Sequence, residues 1–385
     1  MKPNTIIGKT AQPGSASDIF VVNGTSGNDK GVQQLVAQMA DHGVRFYQSP
    51  TDGTREGRHG LIAGDDVVII KINSQWDERG GTNTDVVKSV ISAIISHPDG
   101  FTGEIIIADN GQAQYGAARN GGHLDYTKNN AIDQTQSMQK VADSFTGHRV
   151  STYLWDAITT TRVKEYSEGD TEDGYVVDEH INTRTLAMVS YPKFKTKSGT
   201  LVSLKYGIWN KERQSYEGGR VKLLNLPVLK AHFIWGVTGC VKHYMGVGSD
   251  KLTAKLGARM HVSVGTGGMG TMMVGTRFPV LNILDATWVN ATPGKGPGTP
   301  YDLATQANVI AASTDPVALD YWAAKNILMR LARENGIGDL SVIDPDNTAE
   351  KSFGKWLKLA MAEMKQAGYK VTTDESCMNV YVAEL

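Results

Sequence analysis

The sequence contains little cysteine: Cys240 and Cys377 are the only two in 385 residues. Two thiols are too few for a disulfide framework, a four-cysteine zinc site or the ligand set of an iron–sulfur cluster. A single bridge between them stays open as an alternative, but free cysteines are usually buried. We therefore expect two buried thiols and no iron–sulfur cluster.

An excess of charge and long apolar runs are also missing. The 39 basic residues are balanced by 40 acidic ones, so no overall positive field exists to attract nucleic acid. No stretch of 18 apolar residues occurs, which predicts no transmembrane segment. The first twenty residues lack the apolar core of a signal peptide. We expect a cytoplasmic protein by default, or an extracytoplasmic one if a signal peptide has been removed; the oligomeric state stays open.

Several familiar catalytic motifs are absent as well. The sequence has no G-x-S-x-G elbow, H-E-x-x-H helix, Walker loop or kinase signature. Gly265–Gly270 (GTGGMG) fits the dinucleotide pattern G-x-G-x-x-G, but its flanks lack the expected strand and helix, since Thr271–Phe278 is a poor helix pattern. We therefore do not expect nicotinamide or flavin binding.

What the first third does contain is an alternation of strand and helix patterns. The segments Asp18–Val22, Asp66–Ile72 and Glu104–Ala108 are predicted strands. Helical spacing of apolar residues marks Lys30–His42 and, after hydroxyl and amide capping groups, the segment Val86–Ile95. Nearly continuous apolar strands between helices indicate an α/β fold with a mostly parallel sheet and flanking helices. Ligands of such sheets usually bind at the carboxyl ends of the strands.

The composition changes in the middle of the chain. Residues 115–219 are rich in Asn, Gly, Thr and Tyr, with short strand patterns between polar loops. We interpret this range as a polar, β-rich insertion or second lobe. The α/β core then comprises residues 21–114 and 220–385, and residues 1–20 form an N-terminal segment. In the last third, Asp315 and Pro316 are predicted to open a helix as its N-cap and first residue.

Two lysines and two histidines occur close together after the predicted strand Val221–Leu226. They are Lys230, His232, Lys242 and His243, ringed by apolar residues. Desolvation lowers the pKa of a lysine, and a neutral imidazole binds metals or carries protons. This segment is either an anion- or metal-binding site or simply a helix start whose Lys and His bind carbonyls and water.

Further polar residues follow other predicted strands. Lys71 and Asn73 end one strand, Asp109 ends the next, and Asp285 ends a later one. The loop around Gly296–Gly298 contains glycines that let a backbone approach a ligand closely and direct amide protons at an anion. The alternative is a plain connecting loop, because loops are commonly rich in Gly and Pro.

Taken in order, these motifs resemble the family known as domain of unknown function 362. The similarity spans roughly residues 66–340 and rests on five motifs. They are a lysine at a strand end (Ile70–Asn73), a Leu-Pro-x-Leu-Lys-x-His segment (Leu226–His232), a turn beginning with lysine (Lys242–Gly246), a Gly-Pro loop (Gly296–Gly298) and a Ser-x-Asp-Pro-Val-Ala-x-Asp segment (Ser313–Asp320). Two features depart from the family: His243 stands where Asn is usual, and the ferredoxin-like cysteine clusters of many members are missing. The resemblance implies an α/β fold with a site, but no reaction.

Our leading hypothesis is an enzyme with an anion- or metal-binding site at the carboxyl edge of the sheet. His232 would act as base or metal ligand with Asp285 as its carboxylate partner, and lysines would hold a carboxylate or phosphate. The catalytic residues would be Lys230, His232 and Asp285, the substrate-binding residues Lys71, Asn73, Asp109, Lys242, Gly296 and Gly298, and the ligands of a divalent metal His232 and His243.

Two other classes of function stay open. One is a protein that binds a small anion or metal without turnover. The other is a structural or assembly protein that keeps the fold and has lost the site, which predicts that Lys230 and His232 lie far from Lys71 and Asp285.

Overall fold

The computed structural model describes residues 17–112, 122–253 and 260–385. Most of the predicted N-terminal segment 1–20 and the first residues of the predicted insertion lie outside these ranges. All predicted site residues lie inside them. None of the helices in the described ranges combines the length and hydrophobicity that crossing a bilayer requires.

The described ranges contain alternating strands and helices. The strands are β1 (Ser17–Asn23), β2 (Tyr47–Gln48), β3 (Glu56–Gly57), β4 (Ile62–Ala63), β5 (Val67–Lys71), β6 (Glu104–Asp109), β7 (Val150–Leu154), β8 (Gly174–Ile181), β9 (Met188–Lys195), β10 (Leu201–Ser203), β11 (Gly207–Asn210), β12 (Ser215–Glu217), β13 (Val221–Asn225), β14 (Val228–His232), β15 (Gly236–Thr238), β16 (Leu281–Asn290), β17 (Thr305–Ser313) and β18 (Met378–Glu384). The helices are α1 (Gly31–Asp41), α2 (Thr84–Ile95), α3 (Met138–Asp143), α4 (Asp250–Thr253), α5 (Met260–Ser263), α6 (Gly268–Gly275), α7 (Pro316–Ala323), α8 (Met329–Glu334) and α9 (Phe353–Gln366).

A central sheet of ten strands organises the molecule. Its order is β18-β1-β17-β16-β13-β5-β6-β7, with β14 added beside β16 and β15 beside β14. The pairs from β16 through β13, β5 and β6 to β7 are parallel, whereas β17 runs antiparallel to both β1 and β16. The predicted α/β fold with a mostly parallel sheet and flanking helices is therefore confirmed.

The sheet is covered on both faces, which explains its continuous apolar strands. Alternate residues of β5 belong to different cores: Val68 and Ile70 pack with α1, α2 and α3, and Val67 and Ile69 pack with the opposite layer. That opposite layer includes side chains of α6, α7 and α9. Because β5 is buried from both sides, its polar end residue Lys71 is enclosed as well.

A separate antiparallel sheet lies within the polar middle of the chain. Its order is β12-β11-β10-β9-β8, and all its pairs are antiparallel. The β-rich character predicted for this part is confirmed. Tyr191 and Phe194 of β9 share the core that Ile69 enters, and α3 and β7, also within 115–219, belong to the central architecture. The predicted domain boundaries stay a prediction.

The prediction that Thr271–Phe278 forms no helix is wrong for its first part. Helix α6 spans Gly268–Gly275. Its sequence shows no amphipathic spacing because it is apolar on nearly all sides, and Met269, Met272 and Met273 are all buried. A Cβ at Gly270 would overlap the backbone of Ala360 in α9, so the glycine permits close helix packing.

Candidate functional site

Buried charges meet where β5 and β6 end. Lys71 Nζ lies 2.7 Å from Asp109 Oδ1, and both side chains are almost completely buried. Asp109 Oδ2 also accepts hydrogen bonds from Ser74 N (2.8 Å) and Ser74 Oγ (3.0 Å). Burial lowers the pKa of Lys71 although Asp109 opposes the effect. A Cβ at Gly246 would overlap both charged groups, so this glycine permits the tight packing around the pair.

The predicted cluster residues Lys230 and His232 lie on β14. The alternative of a helix start is wrong, because residues 228–232 form a strand paired with β15 and β16. Lys230 and His232 are two residues apart, so their side chains share one face of the sheet. Lys230 is buried, and its ammonium donates to the carbonyl of Gly80. Burial and the neighbouring charge of Lys242 lower the pKa of Lys230 to about 7.

Lys242 begins a short 3-10 turn, Lys242–Gly246, which three residues separate from the end of β15. The residue is 6% exposed, and no carboxylate or hydrogen-bond acceptor in the described ranges acts on its amine. Burial and then the charge of Lys71 lower the pKa of Lys242 to about 7. We call Lys71, Lys230 and Lys242 the lysine cluster. The charges of Lys71, Lys242 and Asp109 all act on Lys230, so the cluster holds three amines against one carboxylate.

His243 is held in one orientation by Asn225. The amide of Asn225 donates to Cys240 O (3.0 Å) and Asn282 Oδ1 (2.8 Å), which assigns its Oδ1 as the acceptor for His243 Nδ1 (2.7 Å). The imidazole therefore carries its proton on Nδ1. Its Nε2 is buried and makes no hydrogen bond of good geometry in the described ranges, although the backbone of Ile72 is close enough to act on the ring. Burial holds the pKa of His243 well below its usual value, so the ring is neutral.

His232 and His261 form a pair of neighbouring imidazoles. His232 Nδ1 accepts hydrogen bonds from the backbone N–H groups of Ile234 (3.1 Å) and Trp235 (3.3 Å), which leaves the ring proton on Nε2. The two rings lie 5.7 Å apart. Burial, followed by the charge of Lys242, lowers the pKa of His232, and the same two causes lower that of His261 to about 4.

Asp285 does not make the expected contact with His232. It is fully buried in β16, and its Oδ2 accepts hydrogen bonds from Asn83 N (2.8 Å) and Asn130 Nδ2 (3.4 Å). Its Oδ1 accepts from the backbone and the hydroxyl of Thr287 (3.0 and 2.7 Å). Asn83 is the N-cap of α2. The carboxylate therefore ties the start of α2 to β16, and burial raises its pKa.

The remaining predicted binding residues line the approach to β14. Asn73 Oδ1 accepts from Val228 N (2.9 Å), which holds the start of β14 against the end of β5. Gly296 and Gly298 line an open cleft whose other walls include Trp76 and Phe233. A Cβ at Gly296 would overlap the carbonyl of Ala231, so the Gly-Pro loop packs directly on the backbone of β14.

Asp320 positions the segment that carries Lys242 and His243. Its carboxylate accepts hydrogen bonds from the backbone N–H groups of Cys240 (2.5 Å) and Val241 (2.9 Å), and burial raises its pKa to about 7. Asp315 caps α7 through Val317 N and Ala318 N (2.8 and 3.0 Å), as predicted.

A metal centre finds little support in the donor atoms. Within residues 17–112, 122–253 and 260–385, no group of three His, Cys, Asp or Glu side chains is placed to hold a metal ion. The two carboxylates of the predicted site, Asp109 and Asp285, are occupied by the contacts above. Metal binding by His232 and His243 stays an untested prediction.

Sequence reasoning missed several residues of this region. His261, Ser74 and Asn225 contact or face the predicted residues, but each lies in an ordinary local pattern. Only their partners, which are distant in sequence, reveal them. His261 was detectable as one of nine histidines, but nothing in its neighbours indicates a pairing with His232.

Comparisons with known proteins agree with the resemblance found in the sequence. Residues 221–325 match the family model described as "Domain of unknown function (DUF362)". The matched range contains Lys230, His232, Lys242, His243 and Asp285, whereas Lys71 and Asp109 precede it. No curated protein and no solved structure matches the chain.

Proposed function

We propose that this chain binds a small molecule through an oxyanion group, either phosphate or carboxylate, at the lysine cluster. The observation that carries this proposal is the placement of Lys242, a buried amine without a carboxylate or hydrogen-bond partner in the described ranges, beside two other buried lysines. Buried charges in proteins are normally paired, and an unpaired one is costly. A bound anion supplies the missing partner and favours the charged form of the amines.

The imidazoles supply the chemistry of an enzyme that acts on such a ligand. Burial keeps His232 and His243 neutral by lowering the pKa of each ring, and the Nε2 of His243 carries a lone pair that makes no hydrogen bond of good geometry within the described ranges. Asn225 fixes this tautomer in the way that orienting groups fix a general base. We therefore assign His243 as the proton acceptor of the proposed enzyme. Lys71, Lys230 and Lys242 hold the anion, and Asp285 supports the structure between α2 and β16.

The alternative is a protein that captures the same anion without turnover. It shares the lysine cluster but needs no base. Phosphate binding that is equally strong in wild type and His243→Gln, with no turnover on any oxyanion-bearing substrate, would favour it. The structural or assembly hypothesis is the least supported, because Lys230 lies within electrostatic range of Lys71 and Asp109.

Calorimetric titration with inorganic phosphate and with oxalate tests the binding proposal. We expect saturable binding to wild type at pH 7. Lys242→Met should weaken it by roughly 10- to 100-fold, because a hydrogen bond to a charged group contributes about 1.5–3 kcal/mol. Lys197→Met, which changes an exposed lysine in the polar insertion, is the matched control and should bind like wild type. No saturable binding of either anion, or equal binding by Lys242→Met, would overturn the proposal.

A further inference from the structure

Two uncharged donors flank Lys230 in the central sheet. Lys230 is the register partner of Thr238 on β15 and of Asn290 on β16. Directly paired residues on neighbouring strands direct their side chains to the same face of a sheet. Lys230, Thr238 and Asn290 therefore form a row across three strands.

The neighbours of these residues confirm which face the row occupies. Leu229 on β14, Val237 on β15, and Val289 and Ala291 on either side of Asn290 all belong to one apolar core. Side chains alternate along a strand. The three polar side chains consequently lie on the opposite face, where His232 also lies.

Both uncharged donors are buried without a partner. Thr238 is 4% exposed and Asn290 is fully buried, and neither Thr238 Oγ1 nor Asn290 Nδ2 has a hydrogen-bond partner in the described ranges. A buried donor without an acceptor destabilises the folded chain. Such atoms in a folded protein require an explanation, and a bound ligand is a recognised one.

The orientation of Asn290 is fixed. Its Oδ1 accepts a hydrogen bond from Thr292 N at 3.0 Å, so the amide nitrogen is directed to the other side. A Cβ at Gly296 would lie 2.8 Å from that nitrogen, and Gly296 also lines the open cleft with Phe233. The unpartnered donor therefore lies beside Gly296, one of the residues that line this cleft.

We propose that Thr238 Oγ1, Asn290 Nδ2 and Lys230 Nζ together bind one oxyanion group of the ligand. The inference rests on the proposed function and assigns two further binding residues to the same site. The hydroxyl and the amide donate hydrogen bonds, and the ammonium adds charge. An amide nitrogen and an ammonium cannot ligate a metal cation, so this row selects an anion. Phosphate and carboxylate share the required oxygen acceptors.

Thr238→Val is the sharpest test, because it removes the hydroxyl and keeps the shape. Titration with inorganic phosphate should show roughly 5- to 20-fold weaker binding, the loss expected for one hydrogen bond. Without phosphate, the unfolding free energy should stay equal or rise, since an unsatisfied buried donor has been removed. Thr238→Ser keeps the hydroxyl and should retain most of the affinity. A structural role for the hydroxyl predicts the reverse, with lower stability and unchanged affinity.

Asn290→Asp provides the second variant. It keeps an acceptor for Thr292 N but replaces the donor by a carboxylate, so phosphate binding should fall by more than tenfold. The same two variants titrated with oxalate show whether a carboxylate uses the row as phosphate does. The inference is overturned if wild type binds phosphate, Lys242→Met loses it, and Thr238→Val and Asn290→Asp bind like wild type. If wild type binds neither anion, the proposed function and this inference fail together.

Discussion

Replacement of Lys242 by methionine should stabilise the chain at pH 7 in the absence of an anion. Lys242 is 6% exposed as a residue; methionine keeps most of its aliphatic stem and removes an ammonium group on which no carboxylate of the described ranges acts. The pKa of this lysine falls from 10.5 to about 7, chiefly because of burial. One pKa unit corresponds to about 1.4 kcal/mol, so the charged form is disfavoured in the folded chain by an upper limit of roughly 5 kcal/mol.

The effect has a definite pH dependence. Because the pKa is lower in the folded chain than in the unfolded one, the unfolded chain binds more protons between pH 7 and 10.5, and stability rises with pH in that window. At pH 7, where about half of the folded amines are neutral, the penalty is roughly 4 kcal/mol, and by pH 9, where the folded amine is neutral without assistance, it falls to roughly 2 kcal/mol. The advantage of Lys242→Met over wild type should therefore shrink by roughly 2 kcal/mol between pH 7 and 9.

Urea unfolding at pH 6, 7, 8 and 9, at constant ionic strength and without phosphate, measures this difference. Lys197→Met, which removes an exposed ammonium, should follow wild type at every pH. Addition of phosphate should stabilise wild type and leave Lys242→Met almost unchanged, since a ligand stabilises only the state that binds it. The reasoning is refuted if Lys242→Met is less stable than wild type at pH 7, or if the difference between them is independent of pH.

Two further predictions concern residues around the cluster. Gly246→Ala should lower the unfolding free energy by roughly 1–3 kcal/mol and abolish phosphate binding, because its Cβ would displace the Lys71–Asp109 pair. The control is Gly338→Ala, where a Cβ meets no atom within 4 Å. Equal stability of the two variants would contradict the argument. Thiol labelling at pH 8 should modify one cysteine in the native chain and both in urea. The reason is that Cys240 is fully buried with a pKa raised well above its usual value, whereas Cys377 is partly exposed. Rapid labelling of both native thiols would contradict this prediction, because it would show that Cys240 is accessible.

Local pattern was sufficient for the longer strands and helices of the first third, although not for the two-residue strands β2, β3 and β4. The run Asp66–Ile72 contains β5, and helix α2 begins directly after Asn83, whose side chain accepts from Asp85 N at 2.8 Å. These signals are local, because a β-branched run and a capping side chain act on residues within a few positions. The same reasoning failed at α6, where burial on all sides removes the amphipathic spacing that identifies a helix.

The site was only partly accessible to sequence reasoning. Lys71 and Asp109 were identifiable because each ends an apolar strand, and the parallel pairing of β5 with β6 brings them together. The proposed Asp285–His232 pair failed for a different reason. The partner of a carboxylate on a strand cannot be predicted until the order of the strands in the sheet is known. In this structure Asp285 accepts a hydrogen bond from the backbone at the start of α2 instead of contacting His232.

Residues such as Thr238 and Asn290 lie beyond sequence reasoning altogether. Fifty-two positions separate them, and they become neighbours of Lys230 only through the register of β15 and β16 on β14. The same register also indicates the charge of the ligand that this site would bind. The row supplies hydrogen-bond donors, the cluster supplies three amines, and Asp109, the carboxylate that acts on Lys230, is already paired with Lys71. A cation would meet no free carboxylate among these groups, whereas an oxyanion could accept a hydrogen bond from each unpaired donor.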